Sequence, residues 1–174
     1  MHRFDTELPM TSVSARRAII GLVGWLAIGF VAAAIGAIAS VQAADFYARL
    51  VRPDWAPPAG VFGPVWSVLY FLMSVAAWLV WRAGGWRGQS GALRLFLVQL
   101  ALNALWSCLF FAWHLGAWAF ADVCVLWLLI LATLVAFWRV RPLAGVLLLP
   151  YLAWVGFATV LCYRVWRLNP GLLG

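Results

Sequence analysis

The sequence predicts an all-α integral membrane protein that crosses the bilayer as a bundle of five helices. Composition is the first observation, since 67% of the 174 residues are hydrophobic and only 10% are charged, whereas a typical soluble domain carries about 25% charged residues. The second is the length of the apolar runs, because a helix needs roughly 17 to 25 apolar residues to span the hydrocarbon core. The third is that no run alternates apolar and polar residues with the period of two that marks a membrane β-barrel.

Five apolar runs are long enough to cross the membrane, at approximately residues 19–41, 64–82, 93–114, 117–138 and 143–164. The first run follows twin arginines, as a secretory signal does, but its apolar core of about 21 residues exceeds the 7 to 15 of such signals. We therefore expect it to remain as a helix. Short connections make the later helices antiparallel neighbours. We expect a disordered tail at residues 1–14 and a single five-helix domain at residues 15–174.

All twelve basic residues are arginines, and they lie at the ends of the apolar runs. A nucleic-acid-binding face would need them clustered on a soluble surface, so no nucleic-acid partner is expected. The amino-terminal side of the predicted bundle carries Arg3, Arg16, Arg17, Arg82, Arg87, Arg94, Arg139 and Arg141, and the other side carries Arg49, Arg52, Arg164 and Arg167. The positive-inside rule therefore places the amino terminus in the cytoplasm and the long first loop outside.

The loop between the first two runs is rich in proline and tryptophan and contains RPDWAPPAGVFGPVW. Proline is tolerated in the first turn of a helix, so these prolines are expected to stiffen a lid and to start the second helix. The helices carry stripes of polar, aromatic and small residues: Gln99, Asn103, Trp106 and Phe110; Pro150, Trp154, Ala158 and Cys162; and Trp66, Tyr70 and Ser74. Such stripes can be ordinary interhelical packing. Their combination beneath this loop is typical of an aromatic pocket with a few polar anchors.

These motifs resemble those of the TspO/MBR family, the tryptophan-rich sensory proteins whose mitochondrial members are called translocator protein or peripheral benzodiazepine receptor. The resemblance covers residues 45–170 and is carried by FYARLVRPDWAPP, VFGPVWSVLYFLMS, QLALNALWSCLFF, LWLLILATLVAF and LLLPYLAWVGFATVLCYRVWRLNP. It implies a five-helix membrane bundle, commonly a homodimer, that binds porphyrins and haem. In some members it also implies binding of cholesterol and of synthetic isoquinoline or benzodiazepine ligands. Porphyrin or haem is then a ligand, and no obligatory cofactor is expected.

The resemblance also implies which residues would bind the ligand. The lid would supply Tyr47, Trp55, Pro57 and Pro58, and the helices would supply Trp66, Asn103, Trp106, Trp154 and Ala158. The stripes add Tyr70 and Cys162, the latter standing where many family members carry asparagine. Tryptophan faces can stack on the flat porphyrin, while Arg49 and Arg52 near the mouth can meet its carboxylates.

Two further features have both a functional and a structural interpretation. Leu161, Tyr163 and Arg167 satisfy the loose sterol-binding pattern, but a tyrosine and an arginine at a helix end are also an ordinary interfacial anchor, which is the interpretation we favour. Asp122 is the only acid within an apolar run. It is either a proton-transfer or ligand-binding group, or a hydrated or arginine-paired residue near the interface.

No metal site and no catalytic residue are predicted. Cys108, Cys124 and Cys162 lie singly in different runs, without the close pairing of a zinc or redox motif, and are expected to be core residues. His114, in the WHLGAW turn, is interpreted as structural and not as a haem-iron ligand.

The first run carries a stripe of small residues, Ala32, Gly36 and Ser40, at intervals of four. Such stripes let helices approach closely, either within one bundle or between subunits. The sequence leaves both open, so the expectation of a homodimer rests on the resemblance.

Three classes of function remain open. The leading one is a membrane-embedded binding protein for tetrapyrroles, acting as a sensor, regulator or transporter. The second, a porphyrin-degrading oxidative enzyme, is implied by the resemblance only, because the sequence shows no nucleophile with an adjacent base and no metal cluster. The third is a scaffold that regulates partner proteins. We expect a multi-pass protein of a bacterial inner membrane, or of an organelle outer membrane if the source is eukaryotic, in contact with membrane lipid.

Overall fold

Helices make up nearly all of the structure, a computed structural model that describes residues 15–174. The predicted tail at residues 1–14 lies outside the described residues. The helices are α1 (Ala15–Ala39), α2 (Ala43–Arg49), α3 (Phe62–Ser107), α4 (Gly116–Val140), α5 (Pro142–Val146), α6 (Leu149–Leu168) and α7 (Pro170–Leu173). A short 3-10 helix, Ala59–Val61, precedes α3, and a π-helix, Cys108–Ala112, follows it. Residues 15–174 contain no β-strand, which confirms the predicted all-α class.

Four helical segments are long and apolar enough to cross a membrane: Ala15–Ala39, Ala59–Ala112, Gly116–Val140 and Pro142–Leu168. The second is a continuous segment of 54 residues that contains the predicted run 64–82 and the predicted run 93–114 up to Ala112. The predicted count of five spanning helices is therefore not confirmed, because the two runs are joined in one helical segment that a kink interrupts.

α3 folds back on itself near Gly85. This glycine has φ 63° and ψ −170°, a backbone conformation that residues with a side chain rarely adopt. The Tyr70 hydroxyl donates a 2.7 Å hydrogen bond to Asn103 Oδ1, 33 residues further along the chain, whereas these positions on a straight helix would lie about 50 Å apart. α3 therefore consists of an amino-terminal arm (residues 62–84) and a carboxy-terminal arm (residues 86–107) that lie side by side.

α1 packs against both arms of α3 at positions that lack bulky side chains. A Cβ atom on Gly29 would collide with Ser74 Oγ, and one on Gly36 would lie 3.3 Å from Ser107 Oγ. Ala32 and Gly36 are buried. The small-residue stripe of α1 therefore packs within this chain's own bundle, which is one of the two arrangements that the sequence left open.

The buried hydrophobic side chains form one cluster that joins α1, α2, both arms of α3, the π-helix, α4, α5, α6 and α7. The largest fully buried side chains include Tyr151, Phe96, Phe137, Met73 and Leu93. This cluster supports one end of a cavity that opens beneath the first loop.

Candidate ligand-binding site

A cavity of about 620 Å³ lies between α1, α2, both arms of α3, the π-helix and α6. Its volume is within the roughly 300–1,000 Å³ of small-molecule pockets. Its lining is mainly apolar and aromatic: Phe30, Ala33, Ala34, Gly36, Ala37, Ser40, Ala43, Ala44, Tyr47, Ala59, Phe62, Gly63, Trp66, Ser67, Tyr70, Asn103, Trp106, Ser107, Phe110, Phe111, Trp154, Ala158, Leu161, Cys162 and Val165.

Most of the residues predicted to bind ligand are brought together in this cavity. Those that line it are Tyr47, Trp66, Tyr70, Asn103, Trp106, Trp154, Ala158 and Cys162, together with Leu161 of the sterol pattern. The lid residues Trp55, Pro57 and Pro58 are not among the lining residues. Tyr163 and Arg167 also lie outside the cavity and are exposed, with Tyr163 packed against Phe120.

A chain of hydrogen bonds joins three helical segments at the cavity wall. Tyr70 Oη donates to Asn103 Oδ1 at 2.7 Å, and Asn103 Nδ2 donates to Tyr151 Oη at 2.8 Å. All three side chains are buried. Buried polar groups that are paired with one another fix a single arrangement of the helices that carry them. Asn103 therefore fixes the positions of the two arms of α3 and of α6 relative to one another. Tyr70 and Asn103 line the cavity, but the Tyr70 hydroxyl and the Asn103 amide already form hydrogen bonds within the protein.

Two indole groups in the cavity have donors without a hydrogen-bond partner in the described part of the chain, namely Nε1 of Trp106 and of Trp154. The Cys162 thiol lies beside the Trp106 indole, but sulfur is a weak acceptor. A buried donor that lacks a partner costs free energy relative to its hydrated state. An acceptor on a bound molecule would remove that cost, so the two nitrogens mark positions where a ligand gains hydrogen bonds.

The π-helix brings three aromatic rings together at the end of α3. Its wider turn is marked by the hydrogen bond from Trp113 N to Cys108 O at 2.8 Å. Phe110 stacks on Trp106 with ring centroids 5.4 Å apart and an interplanar angle of 14°, and Phe111 meets Phe110 edge to face at 5.0 Å. π-Helical turns are frequent at functional sites because they change which residues share a face. Here the turn presents both phenylalanines to the cavity.

The opposite aromatic wall connects the cavity with the loop above it. Phe62 and Trp154 meet edge to face at 6.0 Å, and Phe157 lies 5.5 Å from Trp154. Trp55 packs edge to face on Phe157 at 5.7 Å, although 47% of its surface remains exposed. Trp55 is therefore connected to the cavity lining indirectly, through Phe157 and then Trp154.

Tyr47 ties α2 to the proline-rich loop. Its hydroxyl donates to the carbonyl oxygen of Pro57 at 3.0 Å, and the guanidinium of Arg52 lies 4.6 Å from the centroid of its ring. Burial raises the pKa of the Tyr47 phenol above its usual value of 10, and the neighbouring Arg52 opposes part of that rise. The phenol stays protonated at neutral pH, so its hydrogen bond to the loop persists.

Asn169 fixes the other end of the loop and was not identified from the sequence. Its Oδ1 accepts from Val51 N, and its Nδ2 donates to Val51 O and to Val165 O, each at 2.8 Å. The loop is thereby clamped to the end of α6. The signal for it in the sequence is the Asn-Pro pair shortly after the last apolar run, since asparagine readily bonds to nearby backbone at helix ends.

The contribution of α1 was also not identified. Phe30, Ala33, Ala37 and Ser40 line the cavity on one side, although only the small-residue stripe suggested that α1 packs closely. Glycine and alanine carry no group that marks them as ligand contacts, so sequence patterns cannot separate such a wall from ordinary helix packing.

Several residues singled out by sequence lie outside the cavity. Arg49 and Arg52 are exposed beside α2, where their guanidinium groups lie over the rings of Phe46 and Tyr47. His114 has φ 56° and its ring lies 4.1 Å from that of Phe46. Within residues 15–174 no group of three or more histidine, cysteine or acidic side chains could hold a metal ion.

Two polar side chains are buried away from the cavity. Gln99 is fully buried and neither its amide nitrogen nor its amide oxygen has a hydrogen-bond partner among residues 15–174. Asp122, on α4, is half-buried with one carboxylate oxygen lacking a partner in the same described range. Cys108 and Cys124 are half-buried free thiols, while Cys162 is buried.

Comparisons with known proteins show the family of this chain. The model of the TspO/MBR family matches residues 22–167. Human translocator protein is 44% identical over 131 residues, which cover 74% of this chain and 78% of the relative. Protein CrtK of Rhodobacter capsulatus is 41% identical, and the match covers 80% of this chain and 87% of the relative. Tryptophan-rich protein TspO of Chlorobaculum tepidum is 38% identical, and the match covers 83% of this chain and 90% of the relative. This chain, a membrane protein with several long apolar helices, belongs to the TspO/MBR family.

Proposed function

We propose that this protein binds porphyrin- or haem-type tetrapyrroles in its membrane-embedded cavity and acts as a sensor, regulator or transporter for them. The observation that carries the proposal is a pair of indole donors, on Trp106 and Trp154, that have no hydrogen-bond partner among residues 15–174 and lie in a mainly apolar and aromatic cavity. The relatives' names, translocator protein and tryptophan-rich sensory protein, are consistent with a role in moving or sensing a ligand.

A porphyrin matches the chemistry of these walls. It is a flat aromatic molecule whose faces can lie against Trp66, Trp106 and Phe110, and such contacts are favourable when rings are offset or edge-on. Its carboxylates are acceptors for the indole donors or for arginines at the lid, and hydrogen bonds to charged acceptors are stronger than neutral ones. Haem and metal-free porphyrin are expected to bind alike, because no histidine among residues 15–174 lines the cavity.

We also propose the membrane arrangement. The two arms of α3, residues 62–84 and 86–107, each exceed the about 20 residues that a span needs, so the 54-residue segment crosses twice and the bundle has five spans. The arginine distribution places the amino terminus and Gly85 on the cytoplasmic side. A bacterial inner membrane and a homodimeric assembly are part of this proposal and follow from the family resemblance.

Titration with protoporphyrin tests the binding proposal. The protein would be reconstituted in lipid nanodiscs, and the absorbance band of the porphyrin followed for the native chain and for a Trp106→Phe, Trp154→Phe double variant. The variant keeps two rings but loses two donors, each contributing about 0.5–1.5 kcal/mol, so the dissociation constant should rise about 5- to 150-fold.

The matched control is a Trp118→Phe, Trp138→Phe double variant. Both tryptophans are exposed on α4, away from the cavity, so this variant should bind as the native chain does. Equal affinity in all three proteins, or absorbance changes that do not saturate, would show that porphyrin partitions into lipid and would overturn the proposal.

A further inference from the structure

The cavity beneath the first loop is accessible from one side of the bundle. Among residues 15–174, the lining residues that are exposed all belong to α1, α2 and the amino-terminal arm of α3: Phe30, Ala34, Ala37, Ala44, Gly63 and Ser67. The lining residues of the carboxy-terminal arm, the π-helix and α6 are buried or half-buried. We call the gap between residues 30–37 of α1 and residues 63–67 of the amino-terminal arm the lateral opening.

The first half of α1 lies directly against the amino-terminal arm. A Cβ atom on Gly21 would collide with the ring of Trp81, so the missing side chain at this position lets the two helices approach closely. Trp78 Nε1 donates a 2.8 Å hydrogen bond to Ala18 O, which ties the same two helices together. They are therefore in tight contact at the end of the bundle that contains Gly85.

The second half of α1 leaves that arm. A Cβ atom on Gly29 would collide with Ser74 Oγ of the amino-terminal arm, whereas one on Gly36 would lie 3.3 Å from Ser107 Oγ of the carboxy-terminal arm. α1 therefore crosses from one arm towards the other between these two glycines. This course separates α1 from the first turns of the amino-terminal arm and produces the lateral opening.

The borders of the lateral opening are suited to contact with lipid. Phe30 on α1 is 46% exposed, and the exposed Ala34 and Ala37 continue the same border with apolar side chains. On the facing border, the Ser67 hydroxyl donates to the Gly63 carbonyl oxygen at 2.9 Å, so this polar group is already paired. Both borders are helical, and a helix satisfies its own backbone hydrogen bonds, as contact with the bilayer requires.

The first loop hinders a route from water. Tyr47 Oη donates to Pro57 O at 3.0 Å, and the Asn169 side chain bonds to both the N–H and the carbonyl oxygen of Val51. A molecule that passed through the loop would have to break hydrogen bonds of this kind. Passage between α1 and the amino-terminal arm leaves them intact.

We infer that the ligand enters the cavity from the bilayer, through the lateral opening, and not from water through the loop. The inference rests on the proposed function, in which the ligand is a large and mainly apolar ring. Removal of apolar surface from water is favourable, so such a molecule accumulates in the membrane before it meets the protein. In the proposed membrane arrangement the lateral opening lies in the half of the bundle away from Gly85, so the outer leaflet supplies the ligand.

Binding kinetics in liposomes test the inference. Association of protoporphyrin would be followed by the saturable part of the tryptophan fluorescence quenching after rapid mixing, and dissociation by adding excess protein-free liposomes. An Ala34→Phe, Ser67→Phe double variant places a ring on each border and narrows the lateral opening. Both rate constants should fall about tenfold, which corresponds to a barrier higher by about 1.4 kcal/mol, while their ratio, the dissociation constant, stays nearly the same.

Two further variants separate this route from the alternatives. A Val31→Phe, Val68→Phe double variant is the matched control, because both valines are exposed on the same helices and neither lines the cavity; its rate constants should equal those of the native chain. Asn169→Ala frees one end of the loop and should leave the association rate constant unchanged. Faster association in Asn169→Ala would indicate a route through the loop and would overturn the inference.

The remaining outcomes are also decisive. Unchanged rate constants in the Ala34→Phe, Ser67→Phe variant, or an equal effect in the matched control, would overturn the inference. A change confined to dissociation would do the same, since the added rings would then contact the bound ligand without narrowing its route. Conversion of a dimer to a monomer by the test variant would show that a second copy covers the lateral opening, with the same consequence. Absence of saturable binding by the native chain would overturn the proposed function itself, whereas saturable binding with unaltered kinetics would overturn the lateral route alone.

Discussion

Replacing Ala158 with leucine would fill part of the proposed ligand site without disturbing the helices that form it. Ala158 lines the cavity on α6, one turn after Trp154 and one turn before Cys162, so a leucine there projects three additional carbon atoms into the space beside the Trp154 indole. A bulky ligand would have to shift or strain its surroundings, and overpacking of this kind costs about 1–3 kcal/mol. Porphyrin affinity should therefore fall about 5- to 150-fold.

The unliganded protein should respond differently. The added atoms of Ala158→Leu occupy existing space in a cavity of about 620 Å³, so the midpoint of thermal unfolding should not fall. Ala153→Leu is the matched control, because Ala153 lies on the same helix and is exposed. Porphyrin titration and thermal unfolding of the three proteins would be compared in nanodiscs. Unchanged porphyrin affinity in Ala158→Leu would refute this placement of the ligand, as would an equal loss of affinity in Ala153→Leu.

Three further predictions concern stability. Asn103→Leu removes the centre of the buried hydrogen-bond chain and should lower the free energy of unfolding by about 1–3 kcal/mol. Gln99→Leu replaces a buried amide that has no partner in residues 15–174, so it should leave the free energy of unfolding unchanged or raise it. Equal destabilisation by the two substitutions would contradict the hydrogen bonds assigned to Asn103. Asn169→Ala breaks three hydrogen bonds and should speed amide hydrogen exchange at Val51, while unaltered exchange there would argue against the clamp. Because burial raises the Tyr47 pKa above 10, the stability that its neutral phenol contributes should be complete below about pH 10 and lost as pH rises through the folded-state pKa. A Tyr47→Phe variant should lack this loss of stability at alkaline pH. Identical dependence of stability on pH in the variant and the native chain would contradict the prediction.

Helical periodicity accounts for much of what could be predicted about the cavity. Residues four apart share a helix face, so Trp154 and Ala158 were placed together before any contact between helices was known. The same spacing grouped Gln99 with Asn103, yet Asn103 faces the cavity and Gln99 is enclosed one turn away. Periodicity selects a face of a helix, but the depth at which a cavity ends depends on the packing of the other helices.

The count of spanning helices shows a different limit. The connection AGGWRGQSGA is predicted to separate two helices, and the non-helical backbone of Gly85 and Gln89 does interrupt the helix within it. The residues around these two positions remain helical, so the two predicted runs form one long segment. The reversal is seen in the backbone of Gly85 and in the long-range contact from Tyr70 to Asn103.

The first loop was the least predictable part of the site. Its prolines indicated a stiff segment, but the positions of Trp55 and Pro57 depend on contacts with residues that are distant in sequence. Asn169 clamps one end of the loop from the far end of the chain, and Tyr47 holds the other. Such contacts have no periodicity, so the sequence could not show which loop side chains reach the cavity.

A porphyrin bound in the cavity would lie beside the indole donors of Trp106 and Trp154. This position can be tested with a two-dimensional 1H–15N spectrum of the protein labelled at tryptophan indole nitrogens, recorded during titration with protoporphyrin and assigned with single Trp→Phe variants. The Trp106 and Trp154 indole signals should show large, saturable shifts, with the exposed Trp118 unchanged. Saturable shifts confined to exposed tryptophans, with both cavity signals unmoved, would contradict it.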